Sequence, residues 1–181
     1  MPRPRSARPA GILAVLAFAA LSCMRTDPAR SDPPFGLECR LRMEEPLRAG
    51  GPVILRFTLS RASGSGEKPV YALRWYTPLE GIRGSFLNVQ RDGVAIPYQG
   101  PMVKRGDPSL EDYVEVSPDK PVEGMVDLGP AYDFSRPGRY SIEFKTGLGD
   151  LVDEPTLLPR PRDAHRPVPL ACDPLSFELR P

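Results

Sequence analysis

The stretch DFSRPGRYSIEF at positions 133–144 carries two signals of β structure. From Tyr140 to Phe144, apolar and polar residues alternate, which is typical of a strand with one buried face. Just before that strand, Asp133, Gly138 and Tyr140 have the spacing D-x-x-x-x-G-x-Y. In two-sheet β domains, a tyrosine at such a corner returns its hydroxyl group to the chain a few residues upstream. The alternative interpretation is that Tyr140 is an ordinary aromatic residue of the strand.

The same alternation recurs from residue 35 onwards. The apolar residues of the alternating runs are Leu37, Cys39 and Leu41; Val53, Leu55, Phe57 and Leu59; Tyr71, Leu73 and Trp75; Val94, Ile96 and Tyr98; Val122, Val126 and Leu128; and Leu175, Phe177 and Leu179. Asp92-Gly93 is a two-residue hairpin signal, and the 24 prolines disfavour long helices. The sequence predicts an all-β fold, an immunoglobulin-like antiparallel β-sandwich of about seven to nine short strands, with Trp75 as the large core residue.

Residues 146–173 interrupt this rhythm. They hold five prolines, two glycines and charges of both signs. Such a composition is typical of connections between strands. We expect a Pro-rich surface excursion over 146–173, before the closing strand of a single β-sandwich domain that spans residues 35–181.

The N-terminus has the parts of a secretory signal: arginines, the apolar run ILAVLAFAAL, and a small residue before a cysteine. The apolar run is shorter than the about 20 residues that a membrane-spanning helix requires. The stretch Ala20-Leu21-Ser22-Cys23 resembles a bacterial lipobox, in which the cysteine is lipidated. We therefore expect a lipoprotein signal peptide over 1–22, lipidation at Cys23, and a polar tether that ends at residue 34. The alternative is an ordinary secretory signal cut near Ala20.

These signals predict an exported protein that contacts the membrane through its lipid anchor. Met24 follows the anchor, in place of the aspartate that often signals retention at the inner membrane. The outer membrane is therefore the expected location.

Two further cysteines, Cys39 and Cys172, lie in the first predicted strand and just before the last one. An exported chain meets an oxidising compartment, so this pair is a disulfide candidate. The closed loop is long, and the chain-entropy model allows roughly 3–5 kcal/mol of stabilisation. The alternative is two free thiols. A metal site is not expected, because zinc takes four ligands and no histidine lies close by.

Charge and residue content exclude several classes of function. Without residues 1–22, which hold three arginines and no acid, the net charge is −2, and no basic face for nucleic acid is indicated. The sole histidine, His165, lies in the Pro-rich segment and is expected to be a surface residue. Neighbouring acids such as Glu44-Glu45 point to opposite faces of a strand. We therefore expect no catalytic residues, no metal and no small-molecule cofactor.

Two connections place aromatic or charged groups beside proline and glycine, and rigid turns of this kind make good contact anchors. Their candidate partner-binding residues are Trp75, Tyr76, Thr77, Pro78, Leu79, Glu80, Tyr98, Lys104 and Arg105. The alternative is that proline and glycine merely fix the two connections, with Lys104-Arg105 as a solvated pair.

The middle of the chain resembles a known module. The matching motifs are W-x-T-P-L-E-G (75–81), R-D-G (91–93), P-Y-x-G-P-x-V-K-R-G (97–106) and Y-D-x-S-x-P-G-x-Y (132–140). Together they resemble the N-terminal prodomain of the deuterolysin-like (peptidyl-Lys) zinc metalloendopeptidases, over most of residues 36–145. That family carries H-E-x-x-H in a following catalytic domain, and a chain with one histidine cannot supply this pair of ligands.

The resemblance implies a prodomain-like module without its protease. We expect a non-catalytic envelope lipoprotein that binds a protein partner, either as a metalloprotease inhibitor or as a folding aid in trans. A β domain can do this through shape complementarity or by adding a strand to a sheet edge. The alternative is a structural or adhesive cell-envelope lipoprotein with no link to a protease, since fold alone does not settle function.

Overall fold

Short strands and turns make up the part of the chain that the structure, a computed structural model, describes, namely residues 34–181. The strands are β1 (Leu37–Met43), β2 (Ile54–Arg61), β3 (Val70–Leu73), β4 (Leu87–Arg91), β5 (Val94–Ala95), β6 (Tyr113–Val116), β7 (Val122–Asp127), β8 (Gly138–Phe144), β9 (Leu151–Val152) and β10 (Leu175–Leu179). No helix in residues 34–181 is long and apolar enough to cross a bilayer. The predicted signal peptide and Cys23 lie outside the described residues.

The strands form three antiparallel sheets. Their orders are β1-β2-β7, β10-β8-β4-β5 and β6-β3-β9. The register places Leu41 opposite Phe57 in the first sheet and Val89 opposite Ile142 in the second. This arrangement confirms the predicted all-β antiparallel sandwich. The described residues hold ten strands rather than seven to nine, because β5 and β9 are two-residue strands.

Most of the alternating apolar residues supply the core between the sheets, although Val94 is 71% exposed. Phe57 of β2 is fully buried, and its ring lies 5.7 Å from that of Phe144 on β8. Tyr140 and Ile142 of the same strand are also fully buried. Each large apolar side chain removed from water in this way contributes about 1.5–3 kcal/mol, so the period of two accounts for the main packing.

The corner before β8 closes through hydrogen bonds. The hydroxyl group of Tyr140 donates to the carbonyl oxygen of Arg136 at 2.7 Å. Gly138 has a φ of +151°, and a Cβ there would lie 2.8 Å from the Asp92 carboxylate. Asp133 accepts a hydrogen bond from the amide of Ser135 at 2.9 Å. The hydroxyl group thus returns to the chain four residues upstream, as the D-x-x-x-x-G-x-Y spacing predicts.

The hairpin between β4 and β5 has the predicted two-residue turn. Asp92 and Gly93 have φ values of +49° and +81°, and Arg91 pairs with Val94 across the turn. Two positive values are the mark of a type I′ hairpin. The second strand is shorter than its alternating pattern, since β5 ends at Ala95. The proline at position 97 lacks the amide hydrogen that a longer ladder would need.

The disulfide prediction is confirmed. Cys39 and Cys172 are bonded, with 4.8 Å between their Cα atoms and a sequence separation of 133. The bond joins β1 to the chain just before β10. The first strand is therefore covalently tied to the segment that leads into the last strand.

The Pro-rich segment 146–173 differs from the expected surface excursion. Its apolar residues Leu148, Leu151 and Val152 are buried, and so is Val168. Two reciprocal backbone hydrogen bonds of 2.9 Å join Leu148 and Val168, while β9 pairs with β3. Because each pairing involves only one or two residues, no period appears in the sequence. The segment thus contributes β9 to the β6-β3-β9 sheet and several core residues, while most of residues 153–167 are exposed as predicted.

Candidate functional site

The two connections predicted separately as partner-binding loops meet in space. The Arg105 guanidinium forms an ion pair with Glu80, and these side chains are only 14% and 6% exposed. The same guanidinium carbon lies 5.0 Å from the centre of the Trp75 ring, which is a cation–π distance. We call Trp75, Glu80 and Arg105 the loop junction, because they tie residues 75–81 to residues 98–107.

The first loop packs on the face of β7. Thr77 is fully buried, and its hydroxyl group donates to the carbonyl oxygen of Arg74 at 2.6 Å. The same oxygen accepts the amide of Leu79 at 3.2 Å, which caps the 3₁₀ turn Pro78–Glu80. A Cβ at Gly124 of β7 would lie 2.7 Å from the Pro78 carbonyl oxygen. Glycine at that position lets the turn lie directly on the strand.

Trp75 belongs to a second, smaller core. It lies two residues beyond the end of β3 and is only 6% exposed, beside Leu73, Tyr113 and Val152. Its indole NH donates to Asp112 at 2.8 Å. Burial raises the pKa of Asp112, whereas the hydrogen bonds from Ser109 and from the indole lower it. The hydrogen bonds have the larger combined effect, so the pKa of Asp112 lies below its usual value. Trp75 is therefore a buried, hydrogen-bonded core residue rather than an exposed anchor.

Glu80 is an anion in a poorly solvated position. Burial raises the pKa of its carboxyl group, and the Tyr76 amide and the Arg105 guanidinium offset this only in part. The amide of Tyr76 donates to one carboxylate oxygen at 2.6 Å, while Arg105 pairs with the other oxygen. Because each carboxylate oxygen accepts a hydrogen bond from within the two loops, Glu80 orients the loop junction.

The second loop is fixed by aromatic contacts. The Tyr98 hydroxyl group donates to the carbonyl oxygen of Pro101 at 2.6 Å, and its ring lies 5.5 Å from that of Tyr132 in an edge-on contact. Burial raises the pKa of Tyr98. A Cβ at Gly100 would lie 2.7 Å from the Tyr98 hydroxyl oxygen and 2.9 Å from Ala131. The start of the second loop is therefore packed against Tyr132 and Ala131.

Burial divides the nine candidate partner-binding residues into two groups. Those that build the loops are wholly or largely buried: Trp75, Thr77, Pro78, Leu79, Glu80, Tyr98 and Arg105. Only Tyr76 and Lys104 are exposed among the nine. The alternative in which proline and glycine fix the two connections thus describes most of these residues. Its solvated pair Lys104-Arg105 is wrong for Arg105, which forms a largely buried ion pair with Glu80.

A buried ion pair was missed by the sequence reasoning. Asp150 is fully buried and bonds to Arg160 at 2.7 Å, with Arg160 only 8% exposed. Asp150 also accepts the Tyr113 hydroxyl group at 2.8 Å and the Arg166 amide at 2.8 Å. Burial and the neighbouring carboxylate raise the pKa of Tyr113. No pattern in the sequence signalled this pair, because both residues lie in the Pro-rich segment.

His165 is not the plain surface residue that the sequence predicts. It is half-buried, with its ring 6.2 Å from that of Trp75 and its Nε2 atom 3.1 Å from the Arg160 carbonyl oxygen. It therefore helps to hold the Pro-rich segment over the second core. Within residues 34–181, no three side chains of His, Cys, Asp or Glu are grouped so as to hold a metal ion.

Comparison with known proteins gives a partial match. An extracellular protease of Aeromonas hydrophila is 33% identical to this chain over 109 residues, which is 60% of this chain and 30% of the protease. The chain thus corresponds to less than a third of the length of that relative. No protein-family model matches the chain. A protease-related sequence and a disulfide both fit an exported protein.

Proposed function

We propose that this chain is a non-catalytic, protease-associated binding domain that acts on a metalloprotease in trans, as an inhibitor or as a folding aid. The observation that carries the proposal is the partial match to an extracellular protease, in which a domain-sized stretch of 109 residues is shared. The motifs of residues 75–106 and 132–140 resemble a protease prodomain, and such a module covers an active-site cleft or assists folding.

The loop geometry supports a binding role. The loop junction fixes two loops before any partner arrives, so association does not have to order them. Preorganised loops on a β scaffold are a common way to present a binding surface. The chain's sole histidine packs beside Trp75 in the Pro-rich segment, where it has no second histidine to join in an H-E-x-x-H pair.

We further propose that the domain is held at the cell envelope by lipid on Cys23, after removal of residues 1–22, with residues 23–34 as the tether. A tethered inhibitor or folding aid is concentrated where an exported protease emerges. Tethering raises the effective concentration of one partner for the other without adding any contact.

A pull-down from the native envelope with the oxidised, detergent-solubilised chain tests this proposal. We expect a zinc metalloprotease to co-purify, and we expect its peptidase activity or its refolding yield to change when the chain is added. A matched control is the same chain carrying Glu80→Gln and Arg105→Met together, which removes the loop junction without leaving a buried carboxylate unpaired. Recovery of cell-wall or outer-membrane components alone, with no protease responding, would contradict the proposal and favour a structural or adhesive role.

A further inference from the structure

Tyr76 has an unusual backbone conformation for a large aromatic residue. Its φ is +57°, in the left-handed region that bulky side chains rarely adopt, and its side chain is 36% exposed. Such a residue persists only where its surroundings hold it, and strain of this kind clusters at functional positions. Tyr76 is therefore a candidate contact residue.

Three contacts from different parts of the chain hold Tyr76 in place. Its amide donates to Glu80 at 2.6 Å, and its carbonyl oxygen accepts the hydroxyl group of Thr146 at 3.1 Å. Its ring lies on Gly84, where a Cβ would come within 2.7 Å of the ring. The ring is thus supported by the backbone at Gly84, and about a third of the residue is exposed to solvent.

Exposed basic residues lie next in sequence to residues that contact Tyr76 or its neighbouring segments. Arg83 directly precedes Gly84, and Lys145 donates to the Ser85 hydroxyl group at 2.9 Å. The amide of Val103 donates to the Arg83 carbonyl oxygen at 3.3 Å, which brings the second loop and the exposed Lys104 alongside. We call Tyr76, Arg83, Lys104 and Lys145 the Tyr76 patch.

The Tyr76 patch keeps an excess of positive charge over Glu80. The buried Glu80 carboxylate bonds to the Tyr76 amide and to Arg105, and it attracts Arg83 of the patch through space, so one carboxylate stands against several cations. Outside the predicted leader the chain has a net charge of −2, so a basic patch stands out against its surroundings. Three cations and an aromatic ring are complementary to carboxylates placed around an apolar residue.

We propose that the Tyr76 patch docks an acidic stretch of a protein partner, with the tyrosine ring as the apolar anchor. This inference rests on the proposed function and adds to it the chemistry of the partner's surface. Tyrosine and arginine are the residue types that most often dominate the energy of protein interfaces, whereas the surrounding lysines act mainly through charge.

Two synthetic twelve-residue peptides probe the patch on the full chain. One places aspartate and glutamate around a central Leu-Phe pair, and the other has lysine at each acidic position. We expect the acidic peptide to bind at least about tenfold more tightly, and its affinity to fall about tenfold between low and high salt. Equal binding of the two peptides, or binding of neither, would overturn the proposal. Preferential binding to phosphatidylglycerol vesicles would also overturn it, in favour of a membrane surface.

Variants locate the binding at the patch. Tyr76→Asn keeps a residue that tolerates positive φ and removes the ring, so we expect a folded chain whose affinity for the acidic peptide is about tenfold lower. Arg83→Glu and Lys145→Glu leave the backbone unchanged and are expected to lower the affinity by similar factors. The matched control is Arg40→Glu on the outer face of β1, which should change nothing. Losses that are equal for the control and the patch variants would contradict the assignment.

The inference and the proposed function fail in different ways. If a protease co-purifies equally with the wild type and with Tyr76→Asn, the Tyr76 patch is wrong and the proposed function stands. If the acidic peptide binds at the patch but no protease responds to the chain, the patch stands and the protease link is wrong.

Discussion

Replacing Arg105 with methionine is expected to destabilise the domain strongly. The substitution leaves the Glu80 carboxylate, with its side chain 6% exposed, without its cation. Leaving one partner of a buried ion pair uncompensated costs about 3–5 kcal/mol, and the lower end applies because Arg105 itself is 14% exposed. The cation–π contact with Trp75 adds about 1 kcal/mol, which a methionine on the ring recovers in part. The expected loss is about 3–4 kcal/mol.

The double variant Glu80→Gln/Arg105→Met isolates the ion pair. Glutamine keeps an acceptor for the Tyr76 amide and carries no charge, so no buried anion is left unpaired. The double variant is therefore expected to lie within about 1.5 kcal/mol of the wild type. The free-energy cost of the double variant should then be about 2 kcal/mol smaller than the sum of the costs of the two single substitutions.

Urea unfolding measures this cycle directly. Trp75 is the chain's sole tryptophan and lies in the junction, so its fluorescence reports local unfolding while far-ultraviolet circular dichroism reports the sheets. Free energies of unfolding come from linear extrapolation of both signals. A loss below about 1 kcal/mol for Arg105→Met, or additive single substitutions, would refute the view that this pair holds the two loops together.

Three further predictions follow from buried contacts. Reducing the Cys39–Cys172 bond, which spans 133 residues, should cost about 4–5 kcal/mol and lower Tm by about 10–15 °C in a thermal melt with and without dithiothreitol. The pKa of Glu80 is raised in the folded state, so its contribution to stability is present below its unfolded pKa and is lost as pH rises through its folded pKa. Between about pH 4.5 and about pH 6, the wild type should therefore lose more stability than Glu80→Gln does, as measured by urea unfolding at both pH values. Asp150→Ala leaves a buried arginine unpaired and should cost about 3–5 kcal/mol in the same assay, while Asp153→Ala, at an exposed neighbour, should change it by less than about 0.5 kcal/mol.

The sandwich was predictable because apolar and polar residues alternate within its strands, and this pattern is visible in the sequence. The alternation that includes Phe57 and Tyr140 marks inward faces in the sequence, and the same residues are fully buried in the structure. The Asp92-Gly93 hairpin and the disulfide were also predictable, because turn chemistry and an even pair of cysteines in an exported chain are visible without coordinates.

The buried contacts of the Pro-rich segment were not predictable in the same way. Its buried groups, such as Asp150 and Arg160, become partners only when the chain folds back beside β3. A two-residue strand such as β9 shows no period, and prolines in the sequence indicate loops whether or not those loops are buried. The sequence also cannot separate an exposed Tyr76 from a buried Trp75 one position earlier, because both stand in one motif and burial depends on the packed loops.

The most direct test of the protease link is a titration of a metalloprotease recovered from the same envelope with the purified full chain. The account predicts a saturable change in peptidase activity, or in the yield of refolded protease, that reaches its limit near one chain per protease. It also predicts that Tyr76→Asn weakens this effect about tenfold. Unchanged activity and unchanged refolding yield across the whole titration would contradict the account.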